Sequence, residues 1–492
     1  MAPPFSPPVF YVVAFYAAMF FPFLTLLSLF INLITGGEPV LLNSRYLVGQ
    51  IFLLASYLSL AIYLNLKYMR NLLPPRAYYN FVGLGLALAM LSILSLSLIA
   101  RKNRILFVVF SLLAFASVGI FYTTRTKQAP EPTPSFPFAS TLAEGRKAVV
   151  LYMEGLSLQD ILRPRSAQNL ANFNYLVSQG AWGKVKSPPP CLSEVTFFSF
   201  LRGTRPSDHG YRSSGVYSFL GKGKYTLFPR WIFFQALKKV KVVRLEGKIP
   251  RPHQGMVFLV RKFHGRGEVV EAEDFPQRRD TVKALFPEAR AGTWQYETLL
   301  EALSADSYAS ERALKLLRRA DLLVIRLEGM KRVKLRFLKY TSEFFPFVPP
   351  QELEKFMGVI DKYTLFYDHI VGRFLTQLPP EGLVIVVSPF SVEPIAPWRF
   401  YLEGLMGDKL TCGDFLDCPE GVYMAFSPWV KRGNFPLSLL DFAPTVAYYL
   451  GLPVEKESQG RVAAEIFKKE FFLENPILFI HSYRGFFKGS QQ

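Results

Sequence analysis

The 492-residue chain has only five histidines and three cysteines. Cys191, Cys412 and Cys418 are too few for a disulfide framework. Cys412 and Cys418 stand close enough in "TCGDFLDC" to pair, and such a pair would favour an oxidising compartment; two free thiols fit the sequence equally well. Acidic residues are also scarce, 38 against 57 Lys and Arg, which leaves a net charge of +19. A surplus of that sign suits anionic lipid head groups or nucleic acid. The chain has no aromatic RNP-type strand and no paired Cys/His spacing, so nucleic acid is not expected as a partner and lipid is.

Charge is missing above all from the first quarter. Four apolar runs, about residues 9–35, 46–65, 79–100 and 105–122, contain no Asp, Glu, Lys or Arg. Each is near the roughly 20 residues that a helix needs to cross a bilayer. They predict four membrane spans within residues 1–125. The first run is too long, and its amino-terminal flank too poor in Lys and Arg, for an ordinary cleaved signal peptide. Arg and Lys in the short loops balance between the two sides, so charge alone does not set the orientation.

Residues 126–146 hold Pro130, Pro132, Pro134 and Pro137 and read as an extended spacer. Beyond it the pattern alternates. "AVVLYME" and "DLLVIRLEG" are buried strands, "SAQNLANFNYLVSQG" is a helix stopped by Gly180, and residues 349–378 form one long amphipathic helix leading into the strand "GLVIVVS". This rhythm predicts an α/β domain with a mostly parallel sheet over residues 147–470, followed by a tail at 471–492. The segment 215–300 is basic, rich in Gly and aromatics, and reads as an insertion or cap.

Three stretches of this domain, "VVLYMEGLS", "PPPCLSEVTFFSFLRGTRPSDHGYR" and "LLDFAPTVAYYLGLPVEKESQGR", resemble the alkaline phosphatase superfamily in order and spacing. That superfamily includes sulfatases, type I phosphodiesterases and membrane-anchored head-group transferases. The resemblance implies an alkaline-phosphatase-like sheet flanked by helices. It also implies anchoring in the cytoplasmic membrane with the soluble domain outside the cytoplasm. It places the nucleophile at Ser193, which opens a helix and also suits an N-cap, and one metal-binding carboxylate at Glu154. An active member would use two divalent ions, zinc or manganese, to grip an ester phosphate.

The remaining ligand positions depart from the family. After "LLVIRL" the chain offers "EGMKRVKLRFLKY", without Asp or His; the tip of "LVIVVS" carries "SPF"; and "LTCGDFLDCP" lacks the last His. His209 reads as structural, and Asp368-His369 lies inside the amphipathic helix. No cofactor is therefore expected, unless an active site assembles two metals from ligands not identified in the sequence. Lys331, Arg332, Lys334 and Arg336 would bind a phosphate or sulfate group directly, or else form a solvated basic face. The functional expectation is a metal-depleted, catalytically impaired binding or regulatory protein of envelope lipid or polysaccharide metabolism. Its partners would be membrane lipid, an anionic lipid or polysaccharide precursor, or another protein. The alternative is an active phosphoric- or sulfuric-ester hydrolase or head-group transferase using Ser193.

Overall fold

The computed structural model describes most of residues 51–99 and 143–481; residues 1–50, 100–142 and 482–492, and shorter stretches of which 226–240 is the longest, lie outside the described residues. The chain divides into two units, one of Met1–Glu131 with Gly215–Phe234 and Val240–Gly247, the other of Pro132–Ser214, Gln235–Lys239 and Lys248–Gln492.

In the first unit, helix α1 (Pro75–Ile99) starts on a proline, where the missing N–H costs no helical bond. Its window Ala77–Ser95 has a mean hydropathy of 1.7 and is the one segment among the described residues long and apolar enough to cross a membrane. It coincides with the expected third span. The expected spans at 9–35 and 105–122 lie outside the described residues, as does part of the span at 46–65 and most of the spacer.

The second unit is built on a sheet whose inner strands are buried on both faces. In chain order the strands of both units are β1 (Ala148–Met153), β2 (Ala181–Lys186), β3 (Gly215–Phe219), β4 (Lys222–Tyr225), β5 (Val243–Lys248), β6 (Gly267–Val270), β7 (Leu322–Leu327), β8 (Leu383–Phe390), β9 (Glu393–Pro394), β10 (Gly413–Asp414), β11 (Glu420–Phe426), β12 (Gly433–Asn434), β13 (Leu437–Ser438) and a short parallel pair, Val454–Glu455 with Phe479–Ile480; β3, β4 and β5 up to Gly247 fall in the first unit. The central sheet runs β12-β2-β11-β8-β1-β7-β6, with β13 also on β2. All its pairs are parallel except those of β11. β1 lies inside the sheet between β7 and β8, with Val150 opposite Val324 of β7 and Ile385 of β8.

The helices that position the site are α2 (Ala171–Gln179), α3 (Ser193–Arg202), α4 (Met256–Lys262), α5 (Trp294–Leu317), α6 (Gly329–Phe337), α7 (Val359–Gln377) and α8 (Phe442–Tyr449). Alternation along β1 sends Val149, Leu151 and Met153 into one core, filled from α2, α5, α6 and α7 by Phe173, Leu303, Val333 and Val371. Ala148, Val150 and Tyr152 enter the other core, filled from α3, α4 and α8 by Phe197, Val260 and Val446. The product is a mixed α/β domain, a mostly parallel sheet between two helical layers.

Two expectations change in the structure. The single helix predicted over 349–378 is two, Pro350–Phe356 and α7, because Gly358 breaks the run. The segment 215–300 is not one insertion. β3, β4 and β5 form a separate three-stranded sheet, whereas α4, β6 and the start of α5 belong to the main domain, with β6 paired to β7.

Candidate functional site

The carboxyl ends of β1 and β7 are neighbours in register, and open α/β sheets bind ligands at such ends. Each strand is followed by Glu-Gly, and the two glutamates emerge side by side. The Glu154 N–H donates to the Leu327 carbonyl (2.9 Å), which fixes the turn after β1. Gly155 follows with φ +92°, and a Cβ there would stand 2.7 Å from the Lys331 Cα, so only glycine lets α6 come this close. Gly329 is forced by the same crowding, its absent Cβ lying 1.8 Å from the Tyr363 hydroxyl oxygen and 2.3 Å from Asp306 Oδ2.

Into this corner Ser193 brings its hydroxyl from the first turn of α3. Leu192, not Ser193, takes the cap position, and no side chain caps the helix. The Ser193 hydroxyl instead donates to Glu154 Oε2 and accepts from Lys331 Nζ (2.7 Å) and Arg326 Nη2 (2.9 Å). Its single donor and two lone pairs are all used. Glu154 is fully buried, and both of its oxygens are held. Oε1 accepts from Arg326 Nε at 2.9 Å and Oε2 from Lys331 Nζ at 2.5 Å.

Arg326 is the hub. Its guanidinium also pairs with Glu328 (2.5 Å) and Glu194 (2.5 Å), lies 3.6 Å from Glu271, and covers the Phe197 ring at 4.8 Å. A buried cation is tolerable only when it is surrounded in this way. Burial works against its charge, but Glu154, Glu328, Glu194 and Glu271 outweigh burial and push its pKa well above the usual arginine value. Burial likewise works against Glu328, yet Lys331, Arg326 and Arg332 hold its carboxyl down at about 2. Apart from Glu154, the carboxylates around Arg326 lie further out than Arg326 and Lys331. The Arg326 and Lys331 side chains are 3% and 9% exposed, against 33%, 24% and 24% for Glu194, Glu271 and Glu328.

The residues singled out in the sequence are only partly brought together. Ser193, Glu154 and Lys331 converge. Arg332 pairs with Glu328 (3.2 Å) and with Glu301 at the edge of the network. Lys334 and Arg336 do not join it: Lys334 is buried on Asp160 (2.5 Å), and Arg336 donates to Thr298 (2.7 Å). The helical period of α6 splays the four cations, and no common anion cradle forms from them.

Other expectations resolve as follows. The disulfide joins Cys191 to Cys418, Cα atoms 5.2 Å apart, and not Cys412 to Cys418; Cys412 is a buried free thiol against the Leu335 carbonyl (3.3 Å). His209 is structural. Its Nε2 is 2.9 Å from the Ser199 hydroxyl, its Nδ1 accepts from the Tyr211 N–H, and burial, with Arg202 and Arg212, lowers it to about 3. Asp368 holds the start of α2 by accepting from the Phe173 N–H (2.7 Å), while His369 is exposed. The tip of β8 is a packed corner, with Phe390 stacked on Phe415 at 4.7 Å and its carbonyl accepting from the Gly155 N–H.

Arg326, Glu194 and Glu271 were not identified from the sequence. One signal was present, an arginine inside the otherwise apolar strand "LLVIRL"; a charge is rarely buried there without a partner.

The metals implied by the superfamily resemblance do not fit this donor set. Glu154 and Ser193 spend their lone pairs on an ammonium and on a guanidinium that cannot deprotonate, and those fixed positive charges would repel a divalent ion. Among the described residues no group of three or more His, Cys, Asp or Glu is arranged to hold a metal.

No family model matches the chain, and no curated protein does. Among solved structures it is similar to murine ectonucleotide pyrophosphatase/phosphodiesterase 5, at 8% identity and TM-score 0.39, over 65% of this chain and 100% of that one. It is similar to the alkaline phosphatase PafA at 10% identity and TM-score 0.40, over 70% and 100%. It is similar to the phosphonate monoester hydrolase of Silicibacter pomeroyi at 11% identity and TM-score 0.37, over 65% and 76%. These neighbours belong to the alkaline phosphatase superfamily. At such overlap the likeness carries no argument about this chain's activity.

Proposed function

We propose that the chain is a membrane-attached, catalytically impaired relative of the alkaline phosphatase superfamily, with a binding or regulatory role outside the cytoplasm. One observation carries the reading. Arg326 and Lys331 bind Glu154 and Ser193, the positions that the sequence resemblance gives to a metal ligand and a nucleophile. A nucleophile must be free to attack and its ester must be gripped by unpaid positive charge. Here the serine is locked by three partners, each cation is neutralised, and the more exposed groups are carboxylates. An incoming phosphate or sulfate ester would meet the wrong sign.

Three features support the placement. α1 has the length and hydropathy of a span. The net charge of +19 suits an anionic membrane surface. The Cys191–Cys418 disulfide fits an oxidising compartment. Within this reading the chain has four spans and acts in envelope lipid or polysaccharide metabolism, on a lipid, a polysaccharide precursor or a protein partner.

The test is elemental analysis of the purified full chain, with hydrolysis of phosphomonoester, phosphodiester and sulfate-ester substrates by wild type and Ser193→Ala. The expected result is no stoichiometric zinc or manganese and no turnover that depends on Ser193. About two ions per chain, the number a two-metal mechanism requires, with hydrolysis lost in Ser193→Ala, would replace this reading by an active hydrolase or transferase.

A further inference from the structure

The sheet of β4, β3 and β5 has no role in the network around Arg326. Its order is β4-β3-β5, and it is separate from the central sheet. Gly215–Phe234 and Val240–Gly247 fall in the same unit as Met1–Glu131, which contains α1, although at least a hundred residues of chain separate Gly215 from α1. The residue types are those of a membrane boundary. Residues 215–248 contain eight Lys and Arg against one acidic residue, Glu246, and seven aromatics.

The described side chains follow the same pattern. Lys241, Arg244 and Lys248 are exposed, and Leu245 is exposed as well. An ordinary surface strand hides its aliphatic residues, but in β5 only Val243 is buried. Leu245 lies beside the Tyr217 ring, both about 3.0 Å from the point where a Gly215 Cβ would stand, and Tyr217 is directly across from Tyr225. A tyrosine with an adjacent exposed aliphatic residue, accompanied by exposed cations, matches the layer where acyl chains meet head groups. Glu246, the single acid, is occupied by the Ser218 hydroxyl.

We infer that the β3–β5 sheet is a lipid-contact surface that lies on the bilayer and binds anionic head groups through Lys241 and Arg244. The inference rests on the membrane-attached part of the proposed function and extends it to a ligand class and a place in the chain. Anionic lipid is the occupant because Lys241 and Arg244 accompany exposed Leu245 and Tyr217 in the unit that carries the apolar helix; nucleic acid would need the cations but not the aliphatic contact.

The test uses the full chain in nanodiscs of phosphatidylcholine alone, or of two parts phosphatidylcholine to one part phosphatidylglycerol. Amide hydrogen exchange is followed in peptides covering β3 and β5. The expected result is several-fold slower exchange in the anionic discs. The difference is lost in the double variant Lys241→Gln/Arg244→Gln and kept in the charge-matched control Arg318→Gln/Arg319→Gln, which alters exposed residues of the α/β unit. Equal thermal unfolding of the two variants shows that a lost difference is not lost folding. Equal exchange in both lipids, or a lipid difference that survives the double variant, overturns the inference. So does equal protection by duplex DNA in the neutral discs. Release of the chain from native membranes by alkaline carbonate would instead refute the membrane-attached reading. A retained chain with no lipid-dependent exchange refutes only the lipid-contact surface.

Discussion

Arg326 is the side chain on which the network turns. Removing one partner of a buried ion pair leaves the other charge without water or a counter-charge. Arg326→Met is therefore expected to cost about 3–5 kcal/mol of stability, read by denaturant or thermal unfolding. Arg326→Lys should recover only part of the loss, because an ammonium cannot reach Glu154, Glu194 and Glu328 together as the planar fork does. Ser193→Ala should cost less, about 1 kcal/mol, since Arg326 and Lys331 keep their carboxylates. If the Ser193 substitution proved as damaging as that of Arg326, the serine and not the ion pairs would organise the site. The network also has an acid limit. Glu328 has its carboxyl held at about 2 against an ordinary 4.5, so its contribution is fully present above pH 4.5 and is lost as pH falls towards 2.

At the scale of the element, α6 owes its position to Asp306 on α5. That buried carboxylate accepts from the Gly329 N–H (3.0 Å) and from the Tyr363 and Tyr367 hydroxyls (2.8 Å each). Burial raises it from 3.8 to about 6, although those donors pull the other way. A raised carboxyl acts opposite to Glu328: the folded form keeps a proton that the unfolded form has released, so stability falls as pH rises from about 4 to 6. The change is on the order of 3 kcal/mol at most. Asp306→Asn should flatten that limb of the melting-temperature profile and leave the acid limb of Glu328 intact. Gly329→Ala should destabilise by about 1–3 kcal/mol through overpacking against Tyr363 and Asp306, and should disturb the Asp306 limb as well. The sequence showed these elements well but not their junctions. β1, β7 and β8 stood out as apolar runs, yet nothing in "EGMKRVKLRF" marked it as a helix that would send Lys331 inward and Arg336 elsewhere.

For the whole molecule, the Cys191–Cys418 disulfide closes a separation of 227 residues and ties the segment before α3 to the loop that carries Phe415. Reduction, or Cys191→Ser with Cys418→Ser, is expected to lower the melting temperature by an amount corresponding to about 2–5 kcal/mol. An unchanged melting temperature would mean that the backbone bonds of this corner, such as Cys191 N–H to Leu416 O, hold it alone. Diagonal electrophoresis or peptide mapping of the oxidised chain should recover the 191–418 pair and leave Cys412 as the free thiol.

The sequence by itself determined the α/β architecture, the apolar helix α1, the absence of histidines from the expected ligand positions and the candidate pair Glu154 and Ser193. These depend on periodicity and on residue identity, which are local and therefore legible. Tertiary structure alone decided the rest. It chose Cys191 over Cys412 as the partner of Cys418, because pairing depends on Cα separation and not on spacing in the chain. It turned an anion-binding cluster of four cations into a split set, because α6 rotates them apart. It placed Arg326 against four carboxylates from separate segments, and so closed the corner of Glu154 and Ser193 into a set of ion pairs. Such a charge network is non-local. No window of sequence contains Glu154, Glu194, Glu271 and Glu328 together, and only folding brings them to one guanidinium.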